Sequence, residues 1–300
     1  MNRPPLRQLL ASRHEPLILD GAMATMLMAR CDDADCESLN ITEPAAVREV
    51  HRSYLAAGTD IVTTNTFCAS AAKPSHEIAE RLRAACSIAA DEASRFTALT
   101  PDRPRYVAAS VGPGDMSASP VQLLDNYMAN IREMMTAGAD LLLVESIYHS
   151  ASLRSAAEAL RRIACDCGRQ PEAAVSFTVR PDGRLLSGET VEEILPLIDG
   201  IRPLAVGFNC CSGPGSIAPL VARLFRATDL PLIICPNAGL PDSEGRYHLM
   251  PEDFARQVSA MLPGDRTVIA GGCCGTTPDH IACLARALQP LKLGSKKQKI

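Results

Sequence analysis

Along the chain, short apolar runs rich in Val, Ile, Leu and Ala stop at Gly, Asn, Pro or an acidic residue. Each is followed by a longer stretch of Ala, Leu, Glu and Arg. Compact apolar runs bounded by turn residues read as buried strands, and the longer mixed stretches read as amphipathic helices. The strand candidates are residues 17–20, 60–64, 106–111, 140–145, 174–179, 205–209, 232–235 and 267–270. Helix formers dominate 77–95, 127–137, 152–163 and 278–288, the last with Thr277 as a candidate N-cap and Pro278 in its first position. Eight strand–helix units predict an α/β fold, a single (β/α)8 TIM barrel. A doubly wound sheet would spend fewer strands and show a Gly-rich dinucleotide turn early in the chain, and neither feature is present. No linker or low-complexity block interrupts the pattern, so residues 1–290 are expected to form one domain and the basic segment 291–300 a flexible tail.

Barrels of this kind carry their chemistry at the carboxyl ends of the strands. There the sequence places Asp20-Gly21-Ala22, Asn65-Thr66, Gly112-Pro113-Gly114, Glu145, Asn209-Cys210-Cys211, Asn237-Ala238-Gly239 and the run Gly271-Gly272-Cys273-Cys274-Gly275. Cys273 and Cys274 are neighbours whose Cα atoms are ~3.8 Å apart, short of the usual disulfide span, so a bridge between them would be strained. In a Gly-rich turn both sulfurs can instead aim at one metal ion, and Cys210 can supply a third thiolate across the mouth. Soft thiolates favour zinc, and three protein ligands with an open fourth position describe a catalytic centre. Three thiolates neutralise the metal, which suits activation of a substrate thiol better than activation of water. Only one of Cys210 and Cys211 is expected to reach the site, because adjacent strand residues face opposite sides. The remaining cysteines, at 31, 36, 68, 86, 165, 167, 235 and 283, are read as small buried residues. The six histidines show no ligand spacing and are read as surface or hydrogen-bonded structural groups.

Composition narrows the partners. Apolar residues are 47% of the 300-residue chain and charged residues 21%, an ordinary globular mixture, and the net charge of −4 provides no basic field for nucleic acid. The apolar runs are far shorter than the ~20 residues that span a bilayer, so no membrane partner is expected. The amino-terminal stretch lacks a signal-peptide core, which predicts a cytoplasmic protein. In that compartment the twelve cysteines read as thiols or metal ligands rather than a disulfide framework.

The motifs LDGAMATML, LNIT followed by HRSYLAAGTDIVTTNTF, AGADLLLVES, GRLLSGET, GFNC, PNAGLP and GGCCGTTPDHIACLARAL occur in that order across nearly the whole chain. In these the sequence resembles the homocysteine S-methyltransferases, and within them the homocysteine-binding module of cobalamin-dependent methionine synthase. The resemblance implies zinc on Cys210, Cys273 and Cys274, which are then both catalytic and metal-binding, and homocysteine as the substrate. It assigns Asp20 and Glu145 to the substrate ammonium; by residue chemistry the Gly21-Ala22 turn can bind the carboxylate through its N–H groups, Thr66 and Asn65 can add hydrogen bonds, and Asn209 and Asn237 are read as structural groups. Arg180, Arg184 and Glu189 are expected in a solvated loop over the mouth. Two features depart from the pattern: Cys-Cys in place of one Cys after Asn209, and the segment SASPVQLLDN after the third strand, on the donor side of the pocket.

The barrel occupies the chain, and no Asp-x-His-x-x-Gly corrinoid pattern is present because Asp279 and His280 are adjacent. GGCCGT together with PNAGLP resembles the synthase module more than the stand-alone sulfonium-using enzymes, which implies methylcobalamin or another methyl-corrinoid as the donor, and the missing motif means that it must arrive on a separate protein or free in solution. Low aromatic content, 4% with no Trp, disfavours an aromatic cage for betaine and weakens a sulfonium donor. The rival readings are an enzyme that uses S-methylmethionine or S-adenosylmethionine, and a non-catalytic homocysteine-binding subunit or sensor.

Overall fold

The computed structural model describes residues 3–12, 15–29, 35–264 and 266–288. The proposed tail at 291–300 and Cys31 lie outside them. Eight parallel strands are formed, β1 (Leu17–Ile18), β2 (Ile61–Thr63), β3 (Tyr106–Val111), β4 (Leu141–Ile147), β5 (Ala173–Phe177), β6 (Ala205–Asn209), β7 (Leu232–Cys235) and β8 (Val268–Ala270). Their order in the sheet is β1-β8-β7-β6-β5-β4-β3-β2, and a bridge between Leu19 and Ile61 joins the two end strands into a barrel. This is the predicted (β/α)8 architecture.

Inward positions follow the period of two that strands impose. Tyr106, Ala108, Leu141, Leu143, Ala174, Ala205, Ile233 and Ile269 fill the barrel, and Leu6 and Leu10 from the helix Leu6–Ser12 close its lower end. The alternate residues Val107, Ala109, Leu142, Val144, Val206 and Phe208 face the surrounding helices. Both faces are therefore apolar, which explains why these strands read as continuous hydrophobic runs.

Helix boundaries differ where capping chemistry decides them. The segment SASPVQLLDN begins the helix Pro120–Thr136: Ser119 Oγ accepts from Gln122 N–H, and Gln122 Oε1 accepts from Ser119 N–H. That reciprocal box starts the helix seven residues before the predicted 127. At Pro278–Leu288, His280 Nδ1 lies 3.2 Å from Thr277 N and 2.9 Å from Thr277 Oγ1, so the third helical residue reaches back to the residue before the helix.

Some expectations about single residues fail. Cys36, Cys86, Cys235 and Cys283 are buried, whereas Cys68, Cys165 and Cys167 are exposed. Cys165 and Cys167 sit in the last turn of the helix Ser150–Cys167, beyond the part that packs on the sheet, and Cys68 lies in the turn after β2. His51 is neither exposed nor hydrogen-bonded: it is fully buried with both ring nitrogens unpartnered, and burial pulls its pKa down to about 4. It is carried as a neutral ring. The 180–190 loop matches its reading better, with Arg180 and Arg184 exposed, while Glu189 accepts from Ser150 Oγ at 2.6 Å and ties the loop to the barrel.

Candidate metal and substrate site

Three thiols converge over the mouth of the barrel. Cys210 follows β6 and Cys273 and Cys274 follow β8, with all three sulfurs within 4.8 Å of one another. Cys210 Sγ is 2.8 Å from Cys273 Sγ and 3.5 Å from Cys274 Sγ. The turn is held from β7: Cys273 N–H donates to Pro236 O at 2.9 Å and Ala238 N–H donates to Cys274 O at 3.0 Å. Gly275 has φ +79°, and a Cβ there would lie 2.0 Å from the ring of Tyr247, so only glycine completes this turn.

The choice between Cys210 and Cys211 is made by backbone conformation. Asn209 takes the last inward position of β6, and simple alternation would send Cys210 outward. Cys210 instead adopts φ +50°, a left-handed conformation uncommon outside glycine, and this returns its sulfur to the mouth. Cys211 then points into the sheet–helix layer, where its sulfur is 3.5 Å from Val179 N and 3.3 Å from Asn209 O. The expectation that one of the two reaches the site holds, but the cause is the turn at 210.

The electrostatics of the cluster fit a cation. Hydrogen bonds from the thiols of Cys210 and Cys273, aided by the Tyr247 hydroxyl, lower Cys274 to about 3, while those contacts and burial push Cys273 far up. Burial and mutual repulsion oppose ionisation of all three sulfurs together, and a bound metal ion would relieve that opposition. The 3.5 Å separation is near the edge of about 3.8 Å expected for thiolates tetrahedrally arranged around zinc, and the 2.8 Å pair must open towards it. Between the two backbone bonds that stitch β7 to the cysteine pair sits Asn237, whose Oδ1 is buried with no hydrogen-bond partner. The donor set fits zinc.

A cavity of about 320 Å3 adjoins the sulfurs and is lined by Asp20, Gly21, Ala22, Thr66, Glu145 and Asn209 as well as the three cysteines. Asp20 is buried, with Thr63 N–H at 2.8 Å and Thr63 Oγ1 at 2.9 Å donating to its carboxylate. Burial raises its pKa to about 8, with the charge of Glu145 adding to the rise against the Thr63 bonds. Glu145 is raised to about 7 by burial, although Ser110 Oγ donates to its Oε1 at 2.5 Å. Asn209 Nδ2 donates to the other oxygen, Oε2, at 3.1 Å.

The remaining sequence candidates are largely engaged with the frame. Thr66 Oγ1 donates to Ser110 O at 2.8 Å and lies 2.7 Å from Thr64 Oγ1, while Asn65 Nδ2 donates to Cys36 O at 2.7 Å. Ala22 N–H donates to Thr276 Oγ1 at 3.2 Å. A Cβ on Gly21 would lie 2.5 Å from that same oxygen, so close packing of the first and last turns requires glycine. Sequence reasoning did not single out Ser110 or Tyr247. Ser110 had a signal in parity, being a polar residue in the inward series Tyr106, Ala108, Ser110; Tyr247 had none, because a long loop brings it back over the site.

Fold and site together define a (β/α)8 barrel with a three-cysteine metal-type centre beside a paired-carboxylate cavity. A family model described as homocysteine S-methyltransferase matches residues 17–288, and the chain belongs to that family. Methionine synthase of Mycobacterium tuberculosis is 33% identical over 302 residues, covering 92% of this chain and 25% of the relative. The chain thus spans about a quarter of the length of that curated relative. Among solved structures, the metallated form of the Escherichia coli homocysteine methyltransferase MmuM aligns with a TM-score of 0.79 at 28% identity, over 94% of this chain and 99% of that one. Its apo form gives 0.76 at 28% identity, over 95% and 100%.

Proposed function

We propose that the chain is a zinc-dependent S-methyltransferase that converts homocysteine to methionine, with the methyl group brought by a methyl-corrinoid on a separate protein. The observation that carries this reading is the presence of the three sulfurs, the buried Asp20 carboxyl and the half-buried Glu145 carboxyl in one small cavity. Zinc held by Cys210, Cys273 and Cys274 would supply a weakly Lewis-acidic centre that keeps a fourth, substrate sulfur ionised at neutral pH.

The protein's own groups orient the amino-acid end. Asp20 and Glu145 are poised between protonated and ionised, so an incoming ammonium favours their carboxylate forms and is held by both. The substrate carboxylate faces the Gly21-Ala22 turn, and Leu19, Leu143 and Ile233 make the apolar floor that excludes water. Thr66 keeps the end of β2 in place rather than binding through a free hydroxyl. The substrate sulfur gives an electron pair to the methyl carbon, the carbon–donor bond breaks with its electrons left on the donor, and the thiol proton has already departed on binding.

A protein-borne donor is favoured by the surface around the mouth. Among the described residues nine large apolar side chains are exposed, and all except Leu99 and Val121 lie between the end of a strand and the main helix that follows; Phe67, Met116, Leu186 and Leu240 are examples. Apolar exposure gathered on one face marks an interaction surface. A second reading has its own support. A groove of about 990 Å3 meets the cavity at Phe67 and Cys68 and carries Asp115 and Asp125 against Lys73, the one cation among the described lining residues, a net negative charge that favours a cationic donor such as a sulfonium.

Methionine formation decides between them. Zinc-loaded protein with homocysteine is expected to yield methionine from methylcobalamin or a methyl-corrinoid protein and none from methyl-folate alone. Faster turnover with S-methylmethionine or S-adenosylmethionine would replace the corrinoid, and no methionine from any donor would leave a homocysteine-binding subunit or sensor.

A further inference from the structure

Asn209 touches both halves of the site. Its Nδ2 donates to Glu145 Oε2 at 3.1 Å, lies 2.8 Å from Ser146 Oγ and approaches Cys273 Sγ at 4.0 Å. Its Oδ1 accepts from Ser146 N–H and from Ser176 Oγ, each at 2.8 Å. Its backbone carbonyl accepts from Thr178 Oγ1 at 3.0 Å. One carboxamide therefore ties β4, β5 and β6 together at the mouth, immediately before the metal-type ligand Cys210. It also spans two left-handed residues, Ser146 at φ +57° and Cys210 at φ +50°, each of which directly follows one of its partners or itself. Strained backbone of this kind persists only when neighbouring contacts over-determine it.

We propose that Asn209 is a positioning residue that sets the separation between the Glu145 carboxylate and the cysteine sulfurs, and so selects the thiol amino acid by chain length, homocysteine over cysteine. The inference rests on the reading above that Glu145 receives the substrate ammonium. If the ammonium is anchored at Glu145 and the sulfur at the cysteine cluster, the substrate must bridge two fixed points, and a chain one methylene shorter cannot satisfy both. Loss of one methylene in a fitted pocket changes discrimination by about 10–200-fold. Ser110 Oγ, on the other oxygen of Glu145, completes the clamp from β3.

The test uses the zinc-loaded chain and three variants, Asn209→Asp, Ser110→Ala and Glu145→Gln, followed by metal content, homocysteine and cysteine affinities by calorimetry, and the sulfur-to-metal absorption of the cobalt-substituted protein. Asn209→Asp preserves shape and both acceptor bonds but sets a carboxylate against Glu145. It is expected to keep about one metal per chain, to weaken homocysteine by about 10–100-fold, and to narrow the homocysteine-to-cysteine ratio. Ser110→Ala lies outside the metal turn and is expected to narrow the same ratio with an unchanged cobalt spectrum before substrate is added. If Glu145→Gln abolishes homocysteine binding while Asn209→Asp and Ser110→Ala leave the ratio as in the parent, the positioning role is wrong. If Glu145→Gln itself leaves binding unchanged, the ammonium assignment fails instead.

Discussion

The N–H of Cys273 donates to the carbonyl of Pro236 at 2.9 Å, so a ligand after β8 is held in place by the turn after β7. The site is thus built by the barrel, whose core is complete without it. Small zinc domains differ, since metal binding there supplies the folding free energy. Chelation is expected to remove about one zinc per chain while leaving far-ultraviolet circular dichroism unchanged. Cys210→Ser and Cys273→Ser should each lose the metal, and Cys211→Ser should keep it. Full metal retention and full activity in both of the first two would show that the ligand assignment is wrong.

Asp20 gives the apo-protein a pH signature. Its folded pKa, about 8, lies above the ordinary 3.8, so the folded state keeps a proton that the unfolded chain gives up above about pH 4. Its contribution to stability is therefore present below that value and is lost as pH rises towards 8. Asp20→Asn removes the dependence. Its melting temperature relative to the parent should climb between pH 5 and pH 8, while homocysteine binding falls. A constant difference across that window would refute the buried-acid account.

Gly275 tests the cysteine turn. Gly275→Ala places a methyl group against the Tyr247 ring in a backbone conformation that L-residues avoid, which should cost on the order of 1–3 kcal/mol. Zinc affinity should drop with it. Denaturant unfolding and metal competition read the two effects, and normal values of both would mean that the turn adapts freely.

The apolar rim separates a protein donor from a free one. Met116→Asp, Leu186→Asp and Leu240→Asp are expected to slow methyl transfer from a corrinoid protein, with little change when free methylcobalamin is supplied. Equal loss with both donors would assign these residues to the cavity rather than to docking.

Much of this protein is readable before folding. Eight buried parallel strands must be apolar on both faces, so they stand out as short runs between helices; β3, β6 and β7 span the predicted residues, and β3 and β7 do so because Arg105 and Gly112, and Pro231 and Pro236, bound them. The Gly-rich turn at 271–275 and Cys210 at another strand end are chemically unusual enough to be recognised as one site. Tertiary structure decided what depends on geometry between strands. Which of Cys210 and Cys211 faces the mouth rests on a single left-handed residue that breaks the alternation on which pattern reading relies. Whether Thr66 and Ala22 are free to bind rests on a backbone carbonyl and a hydroxyl, 44 and 254 residues away in the chain. The clamp on Glu145 by Ser110 and Asn209 joins residues 35 and 64 positions apart. Local sequence specifies periodicity and turn chemistry, whereas a hydrogen bond across a barrel exists only once closure has brought its strands to the same height.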